Sequence, residues 1–206
     1  MDRLNAKNFV SLCGAVVGRP SFSHTAAGRR YFSFPLTVSR LSGAEDRIIV
    51  SCREDLIEGA FPDERSALRV LGELRSYNNK SGVGNRLQIS VFAFELEFCD
   101  DEPENVVYLS GTICKPPKLR QTPLGREICD LLIAVNRPLG RSDYLPCICW
   151  GQSAQEVSEF AVGQPIELDG RIQSRDYIKL IEGEQYRKTA FEVSAVSVRC
   201  PSRPVE

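Results

Sequence analysis

The chain has 206 residues, with 26 Lys and Arg against 27 Asp and Glu, a formal net charge of −1. That length fits one large domain or two small ones, and 42% hydrophobic residues suffice for a core. No apolar run approaches the roughly 18 residues of a membrane span, and the near-neutral balance excludes a polybasic, histone-like binder.

Charges at Asp2, Arg3 and Lys7 interrupt the first twenty residues, so no secretory signal and a cytoplasmic location are expected. Eight cysteines (Cys13, Cys52, Cys99, Cys114, Cys129, Cys147, Cys149, Cys200) are scattered through apolar sequence without a CxxC, and His24 is the only histidine. A structural zinc site needs paired ligands, so reduced cysteine serving as a small buried hydrophobe is the expected role. No metal or other cofactor is expected. HExxH, P-loop and GxSxG motifs are absent, which argues against an enzyme.

Sliding the chain on itself by 97 positions reveals a tandem repeat. Asn8, Val10, Leu12 and Gly14 meet Asn105, Val107, Leu109 and Gly111, and Pro20, Thr25, Gly28 and Arg29 meet Pro117, Thr122, Gly125 and Arg126. Val38, Arg40, Gly43, Asp46 and Cys52 then meet Val135, Arg137, Gly140, Asp143 and Cys149. These 13 identities span positions 8 to 52 without a gap, where chance gives about three. Two domains are expected, 1–103 and 104–206, jointed at the acidic stretch from Asp100 to Glu104.

In the second copy the elements follow in order. Val107 to Ile113 reads as a strand, Pro116-Pro117 and Thr122 to Gly125 as turns, Ile128 to Val135 and Asp143 to Trp150 as two more strands. Gln152 to Phe160 has helical spacing and ends near Gly163, and Pro165 to Tyr177 and Tyr186 to Val198 complete five strands. Three strands, a helix and two strands is the order of the OB barrel, so the expected fold is all-β: two tandem five-stranded OB folds with one short helix each. In the first copy the helix segment, Glu54 to Arg65, is polar and poorly periodic.

Parity sorts each strand into two faces. Leu145, Cys147 and Cys149 form a core set, leaving Tyr144, Ile148 and Trp150 outward. Ile166, Leu168, Gly170 and Ile172 form another, leaving Arg171, Gln173, Arg175 and Tyr177 outward. Aromatics interleaved with arginines make a stacking platform for single-stranded nucleic acid; packing under loops or in a subunit interface is the alternative. Residues 113–142 carry Lys115, Lys118, Arg120, Arg126, Arg137 and Arg141 against Glu127 and Asp130, an excess suited to phosphate. In the first copy Arg47, Ile49, Ser51 and Arg53 point outward, with Tyr77 near the position of Tyr177. These arginines either extend the track or serve assembly.

Three pieces of the second copy, Asn105 to Gly111, Arg120 to Gly125 and Ile133 to Arg137, followed by Asp143 to Gly151 and Gly170 to Arg175, resemble the bacterial single-stranded-DNA-binding protein (SSB) family in order and spacing. The first copy resembles it more weakly, and the tandem arrangement is similar to a clostridial-type variant. The resemblance implies sequence-tolerant binding of single-stranded DNA in replication, recombination or repair, with the stacking aromatics at Tyr144, Trp150 and Tyr177. A further aromatic position of the family falls on Leu139. It also implies a homodimer presenting four OB folds, associated with the nucleoid. The family's acidic tip is not seen in Cys200 to Glu206, so recruitment of replication or repair proteins by that route is not expected. The competing expectation is an OB-fold interaction module with little affinity for nucleic acid.

Overall fold

The computed structural model describes residues 6–58, 61, 66–79, 87–181 and 184–201; the side chains of 176, 177, 179–181, 187 and 188 lie outside that description. The chain divides into two compact units. One is drawn from Val10–Val106 and Ile172–Phe191, the other from Met1–Phe9, Val107–Arg171 and Glu192–Glu206.

The first repeat supplies β1 (Asn8–Val16), β2 (Ser21–Ala26), β3 (Arg29–Ser39), β4 (Glu45–Arg53), β5 (Ala67–Asn78) and β6 (Leu87–Phe98). Their order is β2-β3-β4-β6-β5-β1, and β1 pairs back onto β3 to close the sheet. β1 and β2 are two halves of one barrel strand, interrupted at Gly18-Arg19-Pro20 because proline has no N–H for the ladder. β4 and β6 run parallel; the other described pairings of this repeat are antiparallel. Strict alternation buries Ile48, Val50 and Cys52 and leaves Arg47 and Ile49 outside. Only a 3-10 turn, Glu54–Leu56, is described where the second repeat carries its helix.

The second repeat supplies β7 (Glu104–Ile113), β8 (Lys118–Gln121), β9 (Glu127–Arg137), β10 (Arg141–Trp150), α1 (Gln152–Ser158), β11 (Pro165–Ile181) and β12 (Glu184–Arg199). The order β7-β11-β12-β10-β9-β8 is closed by β7 pairing with β9 and repeats the first topology, including the parallel pair, β10 with β12. The helix buries Ala154 and Val157, as their spacing predicts. Both repeats are therefore five-stranded OB folds.

Two repeat-related features are structural rather than ligand-facing. Gly14 and Gly111 lie where an added Cβ would meet the carbonyl oxygens of Thr37 and Ala134 at 2.4 and 2.5 Å, so glycine is required for the crossing strands to approach. Asp46 and Asp143 have no exposed surface. Asp46 accepts from Arg40 Nε at 2.6 Å, from the Ser174 backbone N–H at 2.7 Å and from its hydroxyl at 3.3 Å. Burial pushes its pKa up, but the Arg40 and Ser174 hydrogen bonds outweigh that and hold it below the ordinary 3.8.

Cys52, Cys129, Cys147 and Cys149 are free and buried in the sheets, and burial pushes the Cys149 thiol up to about 12. Among the described residues no cluster of three metal-ligating side chains occurs, and no helix is long and apolar enough to cross a membrane.

Candidate nucleic-acid interface

The outward face of the second repeat is built on β10, whose register with β9 runs unbroken from Arg141↔Arg137 to Trp150↔Ile128. Tyr144 is 48% exposed and Trp150 38% exposed, as parity predicts. Ile148 between them departs from that expectation, being only 4% exposed. The cause is visible in the ladder: Trp150 Nε1 donates to Ser194 Oγ at 3.0 Å, and Ser194 is the partner of Ile148 on β12. The indole therefore leans across the sheet beside Ile148 while keeping exposed ring surface. Gln173 also departs from its outward expectation and is buried, whereas Arg171 and Arg175 are exposed. The side chain of Tyr177 lies outside the described residues.

Beside Trp150 opens a hollow of about 580 Å³, lined by Gln121, Gly125, Arg126, Glu127, Trp150 and Gly151. Trp150 on β10 and Arg126, from the turn between β8 and β9, are both among its lining residues. Thr122 and Gly125 shape that turn: the Gly125 N–H donates to Thr122 O at 2.8 Å, with Gly125 at φ 75°. Glu127 is already engaged, accepting from Gln155 Nε2 at 2.5 Å.

The basic residues separate into two groups. Lys118, Arg126, Arg141 and Arg171 are exposed and have no carboxylate partner among the described residues, so their charge is available to an anion. Arg120 is held by Asp130 through Nε at 2.5 Å and Nη2 at 3.0 Å, and Arg137 Nε lies 3.1 Å from the buried Asp143. Leu139, at φ 64° in the 3-10 turn Pro138–Gly140, is almost fully exposed, an aliphatic tip beside Arg141.

In the first repeat Arg47 is exposed without a carboxylate partner among the described residues, and Arg53 pairs with Asp55 at 2.9 Å. Tyr77 is 58% exposed near the end of β5. Spacing did not single out Ser194, which fixes the indole, or Tyr31 and Phe92, which share the outward face with Arg53 and Ser51. The signal for the last two is their ladder register, which a sequence does not display.

A family model described as the single-strand binding protein family matches residues 104–200. The chain is 36% identical over 103 residues to Single-stranded DNA-binding protein 3 of Listeria innocua, an alignment covering 46% of this chain and 62% of that protein. It is 34% identical over 103 residues to Single-stranded DNA-binding protein A of Bacillus subtilis, covering 46% and 58%. The match thus spans about three-fifths of the length of these curated relatives. The crystal structure of the wild-type single-stranded DNA binding protein from Thermus aquaticus superposes with a TM-score of 0.78 at 22% identity, over 97% of this chain and 95% of that one. That likeness covers both repeats and shows the tandem OB fold. Residues 104–200 accordingly match the single-strand binding protein family, within a chain whose two repeats both take the OB fold.

Proposed function

We propose that the chain binds single-stranded DNA without sequence preference and without catalysing a reaction, in the service of replication, recombination or repair. The observation that carries this is Trp150: a ring held by Ser194, exposed on the OB face, bordering a hollow rimmed by Arg126. A preorganised ring offers roughly 1–3 kcal/mol per stacked base and accepts any base, while exposed guanidinium and ammonium groups neutralise the backbone. Tyr144 and Tyr177 extend the stack, and Lys118, Arg126, Arg141, Arg171 and Arg175 contact phosphates. Arg120 and Arg137, each already facing a carboxylate, contribute less. The two repeats, 1–103 and 104–206, act as the functional domains, in a cytoplasmic homodimer with four OB folds at the nucleoid. The names of the Listeria and Bacillus relatives and the match to their family support this reading.

The test is equilibrium binding of fluorescein-labelled oligo-dT by anisotropy. Tyr144→Ala with Trp150→Ala is expected to weaken binding by about 2–6 kcal/mol if the two rings act additively. Unchanged affinity in that double variant contradicts the assignment of this face.

A further inference from the structure

We propose that the first repeat carries its own single-strand-binding row, formed by His24, Tyr31 and Phe92 with Arg75, on the face equivalent to that of Trp150 but with the ring moved to a different strand. The inference rests on the reading of the chain as a single-stranded DNA binder and adds a second site to it.

The ladder registers make the comparison. In the second repeat Trp150 on β10 stands opposite Ile128 on β9, and β12 supplies Ser194 beside them. In the first repeat Arg53 on β4 stands opposite Tyr31 on β3, and β6 supplies Phe92 at the position of Ser194. The rung is the same, but the aromatic sits on β3 instead of on the third barrel strand, and the serine is replaced by a ring.

A register shift then enlarges the row. β2 and β3 pair Phe22 with Phe32, but the register slips between Phe22 and His24, so His24 faces Tyr31 rather than following Phe22 to the other side. The imidazole and phenol rings stack with centroids 4.8 Å apart and planes 6° from parallel. Tyr31 meets Phe92 at 6.1 Å, and the guanidinium carbon of Arg75, which is ion-paired with Glu73 (the ladder partner of Phe92), lies 5.7 Å from the Phe92 centroid. Rings and a cation thus run in series across β2, β3, β6 and β5.

Packing of the hairpin does not by itself require this row. The opposite side of the hairpin is already fastened by the edge-to-face pair Phe22–Phe32, at 5.9 Å, with the Arg30 guanidinium carbon 5.6 and 5.2 Å from the two centroids. All six residues of β2 are exposed. Residues 17–44 contain Arg19, Arg29, Arg30 and Arg40 and no acid, with Arg30 and Arg40 ion-paired to Glu54 and Asp46 from outside that stretch. Arg19 and Arg29 have no carboxylate partner among the described residues. A stacked, partly open ring row flanked by uncompensated arginines has the chemistry of a platform for unstacked bases of a single strand.

The sequence supplies one reporter for each site, since the chain contains one Trp and one His. Oligo-dT is titrated into the full chain, with Trp150 fluorescence followed for the second repeat and the proton NMR signal of His24 Hε1 for the first. The proposal expects the Trp150 emission to quench and the His24 signal to move upfield under the ring current of a stacked base. His24→Ala, on an exposed strand, is expected to lower oligo-dT affinity about fivefold while Trp150 quenching persists. Quenching of Trp150 with a stationary His24 signal and an unchanged affinity of His24→Ala overturns the proposal and leaves the proposed function standing. Response of neither probe overturns both. A shift of His24 without quenching supports this site and removes the face around Trp150.

Discussion

Asp46 has no exposed surface, yet it stays ionised because Arg40 and Ser174 meet its oxygens with hydrogen bonds. Replacing it by Ala leaves Arg40 without its carboxylate and is expected to cost about 3 kcal/mol, measured by urea denaturation at pH 7. Because the folded pKa lies below 3.8, the native state binds fewer protons than the unfolded chain there. The contribution is full above pH 3.8 and is lost as pH falls through the folded value, so the gap between wild type and Asp46→Ala narrows on acidification. Residues of this kind were partly legible: the repeat aligned Arg40 with Arg137 and Asp46 with Asp143, but nothing in the spacing showed that the aspartates are buried. Parity placed Tyr144 and Trp150 correctly and misplaced Ile148 and Gln173. Alternation describes where a Cβ points and is blind to a long ring that folds over its neighbour.

At the scale of elements, the strand order followed from hydrophobic runs and turn residues, and the helix from the spacing of Ala154 and Val157. What did not follow was the register slip that turns His24 toward Tyr31. It depends on pairing with β3, a non-local property. The repeated glycine on β1 and β7 makes a sharper prediction. A Cβ at Gly111 would lie 2.5 Å from the Ala134 carbonyl oxygen, an atom of a paired strand that cannot turn aside. Gly111→Ala is expected to destabilise the second repeat by about 2–3 kcal/mol, with a lowered midpoint in thermal unfolding followed by Trp150 emission. An unchanged midpoint contradicts the close crossing.

At the scale of the molecule, a net charge of −1 conceals how charge is distributed. The second repeat exposes Lys118, Arg126, Arg141 and Arg171 without a carboxylate partner among the described residues, and the first does the same with Arg19 and Arg29, so a neutral chain still presents exposed cations. Binding should therefore lean on stacking and keep a bounded dependence on salt, about 0.7 decades of affinity per decade of salt for each phosphate contacted. The proposed homodimer predicts twice the chain mass by light scattering at micromolar concentration, and a monomer there contradicts it. The central claim, that this OB face holds unstacked bases, is tested most directly by titrating oligo-dT against the intrinsic fluorescence of Trp150. Stacking predicts saturable quenching that survives at moderate salt; emission that stays constant across the titration would contradict the account.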